Sequence, residues 1–154
     1  MTPARRSDHN ILLLEDSLAD VILLEEVLKT SQHQVTMHVV TNGRDALDYL
    51  QRSGKYAAAV EPDLILMDLS LPRMQGETVL QKIKGDAELR TMPIIIFTGS
   101  DAPSDVIDAY RTYANSYVVK PVGLDQLSRK METLFDYWFG VAELPADCRP
   151  RTFR

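Results

Sequence analysis

The chain carries a single cysteine, Cys148, among its 154 residues. No internal disulfide can form, and this thiol lies in the tail outside any nucleophile context. Long apolar runs are missing as well: no stretch approaches the roughly 20 residues needed to cross a bilayer. Arg5 and Arg6 are not followed by an apolar core with a small-residue cleavage site, so no secretory signal is read there. These absences predict a cytoplasmic protein with no membrane partner. Excess basic charge is also lacking. The net charge is −5, which argues against a nucleic-acid-binding face. Arg149, Arg151 and Arg154 make only a small basic tail, read as a solvated end. No GxxxxGK[ST] loop occurs, which removes the P-loop nucleotide-binding proteins.

What is present is an alternation of short apolar runs with amphipathic stretches, the signature of βαβ units and a parallel sheet. Strands are expected at Ile11–Leu14, Val35–Val40, Leu64–Asp68, from Pro93 to Thr98, and at Tyr117–Val119. The Leu64 run shows no alternation, as expected of a strand buried on both faces. A first helix is expected from Ser17, with Leu18, Val21, Ile22 and Leu28 as its apolar face. A second follows the Asn42-Gly43 turn, with Ala46, Leu47 and Leu50 inward. A third spans Gly76–Lys84, a fourth Asp105–Tyr113 and a fifth Leu124–Phe139. Leu127, Met131, Leu134, Phe135 and Trp138 share one face of the fifth. Five strands and five helices in strict alternation predict a doubly wound α/β domain over residues 10–140. It is preceded by an extension, 1–9, and followed by a tail, 141–154, in which no output domain is expected.

In such folds ligands bind at the carboxyl ends of the strands. Four apolar runs here end in distinctive polar groups: Glu15-Asp16, Asp68, Thr98 and Lys120-Pro121. Three crowded carboxylates would raise one another's pKa. A hard divalent cation removes that conflict, and Mg²⁺ takes carboxylates, waters and phosphate oxygens in octahedral geometry. Each part has a plainer reading. Glu15-Asp16 could simply favour a helix N-terminus, Lys120 could make an ordinary salt bridge, and Thr98 could bond to backbone.

The ordered set resembles the receiver domains of two-component response regulators, the CheY-like family, over about residues 10–140. Spacings of 52, 30 and 22 residues separate Asp16, Asp68, Thr98 and Lys120. A closer similarity is to the stand-alone receivers that partner bacterial phytochromes. It rests on Glu15-Asp16-Ser17, Asp68-Leu69-Ser70-Leu71-Pro72-Arg73, Ile83-Lys84, Ala114-Asn115-Ser116-Tyr117 and Tyr137-Trp138. The resemblance implies a flavodoxin-like strand order 2-1-3-4-5 and a signalling protein that is not an enzyme. It makes Asp68 the acceptor of a phosphoryl group from a sensor histidine kinase, a bacterial phytochrome among the candidates. It gives Mg²⁺ or Mn²⁺ to Asp16, Asp68 and the backbone carbonyl of Ser70, with Glu15 helping through a metal-bound water. Lys120 and Thr98 would contact phosphoryl oxygens, and Thr98 and Tyr117 would form the switch. Glu15 is a departure, since aspartate is commoner there in the family. Two other readings of the same residues stand: a receiver-like interaction module that is never phosphorylated, and an aspartyl-nucleophile phosphatase. The second is disfavoured by Ser70, where such phosphatases usually place another acid.

The aromatic end of the fifth helix holds more rings than one buried stripe accommodates. Phe135, Trp138 and Phe139, with Tyr110 on the fourth helix, are therefore expected to form a homodimer interface across helix four, strand five and helix five. The competing expectation is that Val141–Pro145 folds back over them.

Overall fold

The computed structural model describes residues 7–71 and 76–148. Pro72, Arg73, Arg149, Arg151 and Arg154 fall outside them. Strands β1 (Asp8–Leu14), β2 (Gln34–Val40), β3 (Leu64–Met67), β4 (Ile94–Thr98) and β5 (Ser116–Val119) form one parallel sheet in the order β2-β1-β3-β4-β5. Helices α1 (Leu18–Thr30), α2 (Gly43–Gln51), α3 (Gly76–Gly85), α4 (Pro103–Arg111) and α5 (Leu124–Phe135) connect and cover them. A π-helical turn, Asp136–Val141, and a short α6, Pro145–Cys148, follow. Asp8 and His9, expected in an N-terminal extension, belong to β1.

The two faces of the sheet carry separate cores. Leu12, Leu14, Ile65 and Met67 pack with Ala46 of α2, Val79 of α3 and Ala109 of α4. Ile11, Leu13, Leu64 and Leu66 pack with Val21 of α1 and Met131 of α5. All four residues of β3 are fully buried, which explains why its sequence does not alternate.

Helix α1 corrects the expected face. Val21, Leu24 and Val27 are buried, whereas Leu18 and Ile22 are 72% and 48% exposed. The helix is apolar nearly all round, so periodicity alone could not choose the side that meets the sheet.

The aromatic end brings a second correction. Phe135 and Phe139 are buried rather than exposed. Their i, i+4 spacing puts both rings on one side, with centroids 5.5 Å apart. The early start of β1 lays His9 flat against Phe139 at 4.1 Å, and Leu144 from the tail closes into the same core. Trp138 is half-buried, while Tyr110 and Tyr137 remain about half exposed.

Lys84, on α3, ties the far edge of this face together. Its ammonium donates to the carbonyls of Arg90 (3.1 Å) and Met92 (2.9 Å) and to Asn115 Oδ1 (3.1 Å). Asn115 Oδ1 also accepts the Ile94 amide at 2.8 Å. Lys84 and Asn115 thus set where β4 begins.

Gly76 positions the third helix under the end of β3. A Cβ here would lie 2.5 Å from the Asp68 carbonyl oxygen and 2.7 Å from Leu69 Cα. Both obstacles are backbone and cannot rotate away. Gly76→Ala is expected to cost about 1–3 kcal/mol, as overpacking does, and to displace Asp68. Chemical denaturation checks this; an unchanged midpoint would mean that the helix start slides away freely.

Candidate functional site

The sheet order places the switch point between β1 and β3, because the chain leaves β1 for β2 on one side and returns to β3 on the other. The crevice outside the carboxyl ends of these strands is where the four polar strand ends meet. Backbone bonds align them: the Glu15 amide donates to the Val40 carbonyl, Asp68 to Leu14, and Lys120 to Thr98.

Asp68 is nearly buried, and donors engage both of its oxygens. Oδ1 accepts the Thr98 hydroxyl at 2.9 Å and the Ser70 amide at 3.0 Å. Oδ2 accepts the Lys120 ammonium at 2.8 Å. Lys120 also donates to Glu15 Oε2 at 2.6 Å and to Asp20 Oδ2 at 2.9 Å. Phe97 forms the floor beneath it, its ring centroid 5.9 Å from Nζ. Glu15 is buried, and its other oxygen accepts the Ser17 amide at 3.0 Å. Asp16 stands exposed at the rim.

These contacts set the protonation states. Burial pushes the Asp68 carboxyl up. The Lys120 hydrogen bond, the Ser70 amide, the Lys120 charge and the Thr98 hydroxyl outweigh it and hold Asp68 below the ordinary carboxylate range. For Glu15 burial wins, and its carboxyl stays raised despite Lys120 and Ser17. Burial lowers Lys120, but its bonds to Asp68, Glu15 and Asp20 hold it well above the ordinary lysine range.

Three carboxylates therefore surround one ammonium, with Asp16 at the rim beside them. An oxygen of each of Glu15, Asp16 and Asp68 lies within 4.8 Å of the other two. A hard, all-oxygen donor set with surplus negative charge fits a divalent cation of the Mg²⁺ or Mn²⁺ type.

Asp20 is the site residue that the sequence reading missed. Ser17 caps α1, accepting the Asp20 amide on its hydroxyl at 3.3 Å. An acid three residues after such a cap is an ordinary helix-start signal, and nothing local announces that its carboxylate reaches Lys120.

Tyr117 is half-buried. Its hydroxyl donates to the Ser100 carbonyl at 2.9 Å, and its amide donates to the Tyr110 hydroxyl at 3.2 Å. Ser100 lies in the β4–α4 connection two residues after Thr98, the last residue of β4, so Thr98 and Tyr117 are linked through one short segment.

Among the described residues no helix is long and apolar enough to cross a membrane. Comparison with known proteins agrees with the geometry. The response regulator receiver domain model matches residues 11–132. The response regulator Rcp1 of Synechocystis is 38% identical over 136 residues, covering 88% of this chain and 92% of that protein. Its Mn²⁺-bound structure aligns with a TM-score of 0.81 at 36% identity, over 89% of this chain and 99% of that one. The phosphorylated cyanobacterial phytochrome response regulator RcpA aligns at 0.84 and 36%, over 90% and 99%. The bacteriophytochrome response regulator RtBRR aligns at 0.70 and 38%, over 90% and 85%. A sheet in receiver order, a buried aspartate gripped by threonine and lysine, and this match over most of the chain agree: the protein belongs to the response regulator receiver domain family.

Proposed function

We propose that Asp68 accepts a phosphoryl group from a phosphohistidine of a sensor kinase in the cytoplasm. The observation that carries this is the buried Asp68 carboxylate, kept ionised by Lys120, Ser70 and Thr98 beside two further acids. Asp16, Asp68 and the Ser70 carbonyl would hold Mg²⁺ or Mn²⁺, with Glu15 behind a bound water. When bound, the cation offsets charge between the carboxylates and the incoming phosphoryl oxygens.

The remaining work falls to the chain's own residues. An Asp68 oxygen attacks phosphorus; the new P–O bond forms as the P–N bond to the histidine breaks, and the electron pair leaves on the imidazole nitrogen. The phosphoryl oxygens take Lys120 from Glu15 and Asp20 and draw the Thr98 hydroxyl from Asp68. Positioning and charge supply the rate. Thr98's shift moves the segment that anchors Tyr117, which biases a two-state equilibrium at α4 and β5. Hydrolysis of the aspartyl phosphate resets it.

The phosphorylated RcpA and RtBRR, both phytochrome response regulators by description, support a bacterial phytochrome as the kinase. Leu18 and Ile22, exposed on α1 next to the site, offer that kinase an apolar footing. The switched surface serves as a homodimer interface, now with Tyr110, Tyr137 and Trp138 as its rings. A groove lined by Tyr117, Val119, Leu134, Tyr137 and Trp138 runs across β5 and α5. Arg129 and Lys130 on α5 face outward opposite in charge to Asp105 and Asp108 on α4.

Incubation with acetyl phosphate tests the reading by intact mass. One phosphate should appear with Mg²⁺ and should not form when a chelator is present from the start. No adduct with any donor would sink the proposal. Light scattering on the same samples should show the dimer; a monomer in both states would refute that interface.

A further inference from the structure

We propose that His33, Glu132 and Asp136 form a second metal site, for a divalent transition metal of the Zn²⁺ class, at the sheet edge opposite Asp68. One ligand atom from each of the three lies within 4.8 Å of the other two. His33 sits just before β2, in the loop after α1. Glu132 lies in the last turn of α5 and Asp136 opens the π-helical turn.

The geometry is preset. Glu132 and Asp136 are i, i+4 neighbours and project from one helix side. The Ser31 hydroxyl accepts the His33 amide at 3.1 Å and fixes the loop. Phe135 meets the imidazole edge-on and Phe139 lies tilted to it, with centroids 6.1 and 6.3 Å away. His33 Nε2 already lies 2.7 Å from Asp136 Oδ1.

A plain histidine–aspartate pair accounts for two of these residues and leaves the third unexplained. Glu132 Oε1 is shut off from solvent and has no hydrogen-bond partner. It adds a second carboxylate beside one that the imidazole already satisfies. A cation resolves both conflicts. An imidazole nitrogen among the donors selects Zn²⁺-type ions over Mg²⁺. Ligand bonds of about 2.0–2.2 Å require small side-chain rotations from the present spacing, and three protein ligands leave a fourth position for water.

Zn²⁺ titration of the full chain by calorimetry, with His33→Ala and Glu132→Gln alongside, tests the site. Each variant should lose one equivalent of Zn²⁺ relative to the unsubstituted protein, whatever the Asp68 site binds. At 100 times its dissociation constant, binding here should raise the unfolding midpoint by roughly 5–10 °C, and neither variant should show that increment. The isosteric Glu132→Gln keeps the histidine–aspartate pair and the fold. If its isotherm, or that of folded His33→Ala, matches the unsubstituted protein, there is no site.

Discussion

Asp68→Asn yields a protein that acetyl phosphate and Mg²⁺ leave at its original mass. The amide nitrogen that replaces one oxygen is no nucleophile toward phosphorus. The substitution also reverses a hydrogen bond. Asp68 accepts from three donors over two oxygens; an asparagine can still take Thr98 and Ser70 on its oxygen, but its NH₂ then faces the Lys120 ammonium. Lys120 keeps Glu15 and Asp20. The fold survives, at a cost of about 1–3 kcal/mol for lost bonds to a charged group. Because the Asp68 carboxyl is held below its ordinary range in the folded state, the stability it supplies is present above the unfolded carboxylate pKa and is lost as pH falls through the folded value. The gap in stability between the two proteins is therefore widest near neutrality and closes on acidification. An adduct of one phosphate on Asp68→Asn would place the acceptor elsewhere, with Asp16 and Glu15 next in line.

How much of this site the sequence disclosed depended on burial. The run Leu64–Met67 is buried on both faces, so it reads as unbroken apolar residues and its first polar neighbour, Asp68, stands out at the carboxyl edge. The same contrast marks Glu15, Thr98 and Lys120, and the strand order came with the family resemblance that this set of residues carries. Asp20 gave no such signal: it lies on a helix, where an acid in the first turn is expected anyway, and its reach to Lys120 depends on bringing together residues 100 positions apart. The direction of α1 was hidden because apolar residues surround the helix. The burial of Phe135 and Phe139 needed His9 and Leu144, which come from the two ends of the domain and carry no local trace of that meeting. Strand ends were legible because one face of the chemistry is local; the rest arises from tertiary contacts.

Lys120→Met should be the most damaging single change to the resting protein. Methionine keeps most of the length and none of the charge. Glu15, Asp68 and Asp20, with side chains 1%, 8% and 35% exposed, lose the cation they share. Removing one partner from buried ion pairs costs about 3–5 kcal/mol, a large part of the roughly 5–15 kcal/mol that holds a domain together. The unfolding midpoint should drop by about 10 °C. The loss should again shrink on acidification, here through Glu15 as well as Asp68. Glu15 is already raised by burial, and Lys120 is the main force pulling it down, so its carboxyl rises further in the variant. A group raised in the folded state supplies stability below its unfolded pKa and loses it as pH climbs through the folded value. Lys120→Met should thus recover on mild acidification, where Glu15 takes a proton, and with millimolar Mg²⁺, where a cation replaces the ammonium among the carboxylates. Phosphorylation by acetyl phosphate should slow by about 10²-fold, the scale of losing one charged contact to a transferring phosphoryl group. Thermal unfolding at two pH values, with and without Mg²⁺, reads all of this; a midpoint equal to that of the unsubstituted protein throughout would show that Lys120 does not hold the acidic cluster together.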